Sequence, residues 1–557
     1  MIKSMNIINF LKNSIREINP KENIKTLHTN IKNDILSGIT VAIIALPLAL
    51  AFGEISQLGP IAGVWGAIAG GIVGGLFGGC MVGVSGPTAP KAAQIATFMA
   101  FFVIGTTQQP DLVAAFSIIF LSGLILVIIS TLKISRFIHY TPYPVIAGFM
   151  CGIGVIVILT QINAFIGLEP EKNLHKVFTN FGHSIQNINS EALYVAIPSI
   201  LILFFWSKLE HKIKIFTKLP PPLAALIIGT SIANFMNLNI PYIGDKMGKA
   251  AEAKIFTFYL PDLTRINEFI GPAFALAALA ILDSLLSCKV ADNMTGLRHS
   301  SDRETFGQGM ANMAAGLFGG VTTATATMRT VANIKFGGRT PLASIVHGIT
   351  LLSILLGFSF LVEAIPTSCL AAILFKVGID ILDYRIISIL KNIPIADLII
   401  FIIVLIITIY ADLMIAIVIG IIFAILQSNK EVMLTFRSTF SHQCLPLSKS
   451  EYALDNNDIN NLPVAILKPK GPLYFGSIEP LIKVYSKISK HEMLIIDMID
   501  ITMIDISGIY ALEDLIKNIQ SKNIKVIVTN FNNNIKEKLV KLNFIKNIGE
   551  ENYIENN

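Results

Sequence analysis

Asp283 interrupts the apolar run FALAALAILDSLLSCKV at 274–290. A carboxylate at the centre of a membrane helix costs ~3 kcal/mol or more on insertion, so a functional role is the default meaning. Ser287 follows one turn later and lies on the same helical face. A carboxylate, a hydroxyl and backbone carbonyls form a hard-oxygen set able to hold Na⁺. The same carboxylate could carry H⁺ instead, or be balanced internally by Lys91 or Arg329, since buried charges are usually paired.

A second group of residues comes from a repeated pentapeptide. GLFGG occurs in GLFGGCMVGVSGPTAP at 75–90 and again in GLFGGVTTATATMRT at 316–330. Both copies lead into small, hydroxyl-bearing residues that include Ser85, Thr88, Thr325 and Thr327. Each stretch is too poor in large apolar side chains for a lipid-facing helix and reads as extended backbone entering a short half-helix. Pro87 suits an early helical position. Two half-helix starts facing one another concentrate positive potential and free N–H groups, a pocket suited to a small anion. Close packing of membrane helices through small residues is the alternative use of the same composition. Arg329 could contact the anion or snorkel to an interface. Lys91, at the start of the first half-helix, has the same two readings, and Glu54 reads as interfacial.

The elements that must position these residues are transmembrane helices. The 557 residues are 53% hydrophobic and 14% charged, with mean hydropathy +0.66; a soluble chain is nearer a quarter charged. Apolar runs of spanning length recur over 34–427, which predicts a polytopic α-helical membrane protein. The segments number fourteen, with centres near 43, 68, 97, 121, 155, 199, 228, 280, 313, 336, 352, 373, 404 and 420. The third and tenth are the half-helices. Basic residues cluster after even-numbered segments (Lys133 and Arg136; Lys208, Lys212, Lys214 and Lys218; Arg298 and Arg303; Arg385 and Lys391), which places both termini in the cytoplasm. The GLFGG copies end segments 2 and 9. An odd offset of seven makes them run in opposite directions, as in a seven-plus-seven inverted repeat over about 34–238 and 271–427.

Residues 1–33 form a polar cytoplasmic segment and 428–462 a polar linker. Residues 463–557 alternate β-rich runs with amphipathic helical patterns, which predicts a small cytoplasmic α/β domain. The five cysteines have no paired spacing, so neither a disulfide framework nor a zinc site is expected. The net charge of +6 reads as loop chemistry, not nucleic-acid affinity. No P-loop, H-E-x-x-H or G-x-S-x-G pattern is present, and GLRHSSDRE at 296–304 reads as a charged inter-helix loop. The chain is therefore expected to be a transporter or channel without a cofactor, not an enzyme.

ALPLALAFGE at 45–54, VSGPTAP at 84–90 and the block from 281 to 320 resemble the SulP anion transporter family, and IDMIDITMIDISGIYAL at 496–512 resembles a STAS domain. Within the family, LDSLL…ADNMT followed by ATMRTVANIKFGG is most similar to cyanobacterial sodium-dependent bicarbonate transporters. The resemblance implies a seven-plus-seven fold with core and gate domains, an elevator-like motion and a STAS-mediated homodimer; the Lys-, Asn- and Ile-rich composition of the soluble parts points to the lipid of a bacterial inner membrane. It implies a sodium site at Asp283, Ser287, Ala326 and Thr327, and an anion site at Ser85, Thr88, Ala326, Thr327 and Arg329. Ser287 stands where such sequences often have threonine, and Lys91 where an uncharged residue is expected. A lysine there could pair with Asp283 and replace sodium. In the STAS loop, Ile506 occupies the usual phospho-acceptor position, which makes Ser507 the expected cap of the following helix. Bicarbonate symport with Na⁺ is the leading expectation, and proton-coupled sulfate or dicarboxylate transport the alternative. An uncoupled anion channel would gain nothing from a midplane carboxylate, and a membrane sensor in which the STAS domain docks cytoplasmic partners is a further alternative.

Overall fold

The computed structural model describes residues 18–410 and 442–554, apart from 100, 105–108, 136–142, 171–173, 213–219, 248–256, 296, 358–362, 383–392, 451–461, 474–480, 482–483, 486–487, 489–490, 521–522 and 532. The helices that matter here are α1 Lys21–Thr26, α2 Ile31–Ile55, α3 Pro60–Phe77, α4 Ala89–Met99, α5 Leu112–Thr131, α6 Tyr143–Thr160, α7 Ser190–Lys212, α8 Pro221–Phe235, α9 Ile266–Thr295, α10 Ser301–Leu317, α11 Thr327–Lys335, α12 Pro341–Gly357, α13 Thr367–Ile381 and α14 Ile395–Tyr410. Among the described residues, five helices (α2, α3, α5, α6 and α9) are long and apolar enough to cross a membrane, and stretches of α7, α8, α12 and α14 are shorter apolar helices. Helices cover or adjoin the expected centres as far as 404; the segment expected near 420 lies outside the described residues. The chain divides into two compact units, 1–138 with 153–382, and 139–152 with 383–557.

Local chemistry explains the element boundaries in the first unit. Asp111 caps α5 by accepting from Ala114 N–H at 3.0 Å. Small residues then let α5 lie against α10: a Cβ on Gly123 would come within 2.5 Å of the Gly309 carbonyl, and one on Gly309 within 2.8 Å of the Gly123 carbonyl. Helix α3 opens with Pro60 at its first position and widens into a π-turn over Gly70–Gly74 before it stops at Phe77. Its orphan carbonyls find a partner from outside the helix. The Asn23 amide of α1 donates to Gly75 O, Leu76 O and Gly78 O at 3.1, 2.9 and 2.9 Å.

The same contact corrects the reading of 296–304. Asp302, Arg303 and Glu304 are buried in the first turn of α10, not exposed in a loop. Arg303 donates to Asn23 Oδ1 at 2.9 Å and Gly78 O at 3.2 Å and pairs with Glu22 at 2.8 Å. Packing against α1 and the broken end of α3 holds these charges inside. Residues His299, Ser301 and Asp292 form a hydrogen-bonded chain (2.7 and 3.2 Å) that ties the end of α9 to the start of α10.

In the second unit, strands β3 Gln443–Pro446, β4 Val464–Lys468, β6 Met493–Asp497, β8 Lys525–Thr529 and β9 Tyr553–Ile554 form one sheet in the order β9-β8-β6-β4-β3, while β5 Gly471–Leu473 pairs with β7 Ile501–Ile504 (β1 and β2 belong to the site below). All but β3 are parallel, as helical crossovers require. Strand β3 falls within the stretch read as linker and pairs antiparallel with β4, Cys444 opposite Leu467. Helix α15, Ile506–Gln520, is capped by Asp505, whose Oδ1 accepts from Gly508 N–H at 2.6 Å; the expected cap, Ser507, lies inside the helix.

Candidate ion-binding site at the helix crossover

The two stretches that follow GLFGG meet. Strand β1, Ser85–Gly86, pairs antiparallel with β2, Ala324–Thr325, Ser85 opposite Thr325 and Gly86 opposite Ala324. Ala326 N–H also donates to Val84 O at 3.1 Å. Beyond the pairing, each strand turns into a half-helix: Ala92 N–H reaches Thr88 O in α4, and Thr330 N–H reaches Ala326 O in α11, both at 3.0 Å. The first-turn N–H groups of each helix have no intrahelical partner, and the positive ends of both dipoles lie beside the crossover. Gly70 in the π-turn makes room for it, since a Cβ there would lie 2.9 Å from Gly86 N.

A row of polar residues on α10 fixes the crossover from behind. Glu304 Oε2 accepts from Gly79 N–H and Cys80 N–H at 2.8 and 2.9 Å. Its Oε1 accepts from Gln308 Nε2 at 2.8 Å and from the Thr325 hydroxyl. Gln308 Nε2 also reaches Ser85 Oγ at 2.7 Å and Thr325 Oγ1 at 2.9 Å. One turn on, Asn312 accepts from Thr322 Oγ1 (2.5 Å) and Thr323 N–H (2.7 Å) and donates to Thr323 O (3.0 Å). Spacing of four residues puts the three on one helix face, and all three are buried.

Helix α9 supplies the opposite wall. Ser284 Oγ accepts from Thr325 N–H at 3.1 Å, and Ser287 Oγ shares a 2.7 Å hydrogen bond with Thr327 Oγ1. Asp283 lies beside Thr88 and within electrostatic reach of Lys91 and Arg329. Its Oδ2, the Thr88 hydroxyl and Arg329 Nη1 are all buried with no hydrogen bond within 3.5 Å, although the Thr88 hydroxyl lies near enough to favour the charged carboxylate. Three such orphans in one place are the pattern expected where a ligand is missing, because buried polar atoms are otherwise satisfied. The Asp283 carboxylate with the paired Ser287 and Thr327 hydroxyls is a donor set of the right chemistry for Na⁺. Thr327 is exposed and Ala326 partly so, which opens this side of the site.

The residues singled out from the sequence are thus brought together, with different roles. Ser85 Oγ is already engaged by Gln308, which leaves Thr88, Ala326, Thr327 and the half-helix N–H groups facing the gap. Arg329 is fully buried, its guanidinium packed where a side chain on Gly86 would otherwise sit. Lys91 is fully buried and donates to the Thr323 carbonyl. Sequence reading missed Glu304, Gln308 and Asn312; their spacing of four in an otherwise small-residue helix was the available signal.

The descriptions of two known families match this chain: the sulfate permease family over residues 31–404 and the STAS domain over 457–556. A bicarbonate transporter, BicA, from a Picosynechococcus species is 31% identical over 93% of this chain and 92% of its own length. A putative sulfate transporter, YvdB, of Bacillus subtilis is 29% identical over 94% of this chain and 96% of its own. The solved transmembrane domain of a cyanobacterial BicA superposes with TM-score 0.60 at 32% identity, over 70% of this chain and 98% of that one.

Proposed function

We propose that this chain, which belongs to the sulfate permease family and is an anion transporter, imports a small inorganic anion by secondary active transport, with bicarbonate as its first substrate. The observation that carries this reading is the crossover itself. Two half-helix starts converge over a buried carboxylate whose Oδ2 has no hydrogen bond within 3.5 Å, so anion and cation positions lie side by side. The anion would be received by the first-turn N–H groups of α4 and α11 and by Thr88 and Thr327. A coupling Na⁺ would be received by Asp283, Ser287, Thr327 and the Ala326 carbonyl. Burying opposite charges together lowers the cost of moving either through a low-dielectric core, which is the physical basis of symport here.

The likeness to the cyanobacterial bicarbonate transporter supports bicarbonate over the alternative, proton-coupled sulfate or dicarboxylate transport; the name of the Bacillus relative, a putative sulfate transporter, speaks for sulfate. The remaining parts of the reading are an inverted seven-plus-seven repeat moving as an elevator, a homodimer through the STAS domain, and a bacterial inner membrane with both termini cytoplasmic. The test is uptake of labelled bicarbonate into proteoliposomes with and without an inward Na⁺ gradient. Uptake should rise with the gradient and fall at least tenfold in Asp283→Asn, about 1.4 kcal/mol or more of lost coupling. Sulfate uptake without bicarbonate uptake by the same folded protein would overturn the substrate assignment.

A further inference from the structure

Lys91 is more deeply buried than any structural role explains. Its side chain is 0% exposed, and its ammonium donates to the Thr323 carbonyl. That carbonyl already accepts from Asn312 Nδ2 at 3.0 Å, so Lys91 is not needed to satisfy it. No carboxylate among the described residues forms an ion pair with Lys91 within 4.0 Å. One neutral acceptor does not offset the desolvation of a buried ammonium. The compensating charge that lies within electrostatic reach is Asp283, whose Oδ2 has no hydrogen-bond partner. Lys91 is also three residues after Thr88, which immediately precedes α4, and both act on Asp283 of α9.

We propose that the Lys91 ammonium is a resident cation that stands in for Na⁺ at Asp283. The inference rests on the reading of the Asp283 position given above. Lys91 makes the site one charge more positive than an uncharged residue would, and this is the same increment that a bound Na⁺ brings. The site loaded with an anion but no Na⁺ therefore carries the net charge that a lysine-free site reaches only with Na⁺ bound. Since net charge is what makes transfer through a low-dielectric core costly, the Na⁺-free, anion-loaded form of this protein crosses as well. The form that also holds Na⁺ carries one extra charge and crosses less readily, so Na⁺-driven uptake is the smaller flux beside an anion exchange that needs no Na⁺. By occupying the field of Asp283, Lys91 also weakens Na⁺ binding.

Two measurements on the full-length protein test this. The first is exchange of labelled bicarbonate for internal bicarbonate in proteoliposomes, with choline replacing Na⁺ on both sides, and sulfate exchange run in parallel. The second is ²²Na⁺ binding to purified protein in detergent, with no transport readout. Exchange by the wild type should continue without Na⁺, and in Lys91→Met it should fall roughly tenfold or more and recover when Na⁺ is restored, while Na⁺ affinity rises by a similar factor. Lys91→Arg, which keeps the charge, should retain Na⁺-free exchange. Wild-type exchange that stops without Na⁺, or Na⁺ affinity unchanged in Lys91→Met, overturns the proposal. Should Lys91→Met fail to fold, the wild type and Lys91→Arg still decide it through Na⁺-free exchange. Absence of any anion exchange in every variant would remove the transport reading, and the ²²Na⁺ comparison would still judge Lys91.

Discussion

Replacing Glu304 with glutamine changes one atom and should loosen the whole crossover. The carboxylate accepts from Gly79 N–H, Cys80 N–H, Gln308 Nε2 and Thr325 Oγ1. A glutamine can accept from the first pair only by turning its own NH₂ toward the second. Thr325 can reverse its hydroxyl, but Gln308 must then flip its amide and cease donating to Ser85, now at 2.7 Å, whose own hydroxyl must turn to donate in its place. Four charge-assisted bonds become neutral, a loss of about 1 kcal/mol each, which gives ~2–4 kcal/mol once relaxation is allowed. Unfolding in mixed micelles, followed by the fluorescence of Trp65 stacked on Phe318 at 5.9 Å, measures this. A cycle with Thr325→Val isolates the part that reaches the paired strands, and a coupling of ~1 kcal/mol is expected. Stability of Glu304→Gln within ~0.5 kcal/mol of the wild type, or additivity with Thr325→Val, would refute the reasoning.

Gly86→Ala places a methyl group on the Arg329 guanidinium in a closed interior. It should cost ~1–3 kcal/mol and reduce uptake, whereas Gly182→Ala, with open space around it, should be neutral or slightly stabilising. Asn23→Ala strands the carbonyls of Gly75, Leu76 and Gly78 and should lower stability by ~2–4 kcal/mol in the same unfolding assay. In the STAS domain, burial raises the Asp505 carboxyl to about 7, with Asp397 adding to the effect against the pull of Gly508 N–H and Lys538. The folded state therefore binds this proton more tightly than the unfolded chain does. Its stabilising contribution is present at low pH and is lost as pH rises through about 7. Hydrogen-exchange protection over 506–520, corrected for intrinsic rates, should fall between pH 5 and 8, and Asp505→Asn, which keeps the cap oxygen, should flatten that fall.

How far the sequence could be read depended on whether a feature was local. GLFGG and the hydroxyls after it are short, so their repetition was visible and placed the two stretches opposite one another, while the register of Ser85 with Thr325 came only with the structure. Asp283 stood out because nothing apolar explains a carboxylate in such a run. Asp302, Arg303 and Glu304 were misread because their density of charge resembles a loop. Only the distant partners Glu22, Asn23, Gly79 and Cys80 make that turn an interior one. Strand β3 was taken for linker since an edge strand of four residues, three exposed or nearly so, carries little hydrophobic signal. The Asp505 cap competed with Ser507, and propensity alone does not rank two good caps two positions apart.

The pairing of β1 with β2 joins residues 240 positions apart, and this separation constrains how the protein is made. At synthesis rates of ~5–20 residues per second, some 10–50 seconds pass between the emergence of Ser85 and that of Thr325. For most of that interval α4 carries Lys91 before Asp283 has been made, and for all but its end without the Thr323 carbonyl. A nascent chain stopped before about residue 280 therefore leaves that ammonium without its carboxylate, and one stopped before about residue 320 still leaves β1 without its partner strand, inside the bilayer. The short ladder at the centre of the site is thus also a checkpoint in biogenesis: the first half of the transporter becomes a stable membrane structure only when the second half arrives.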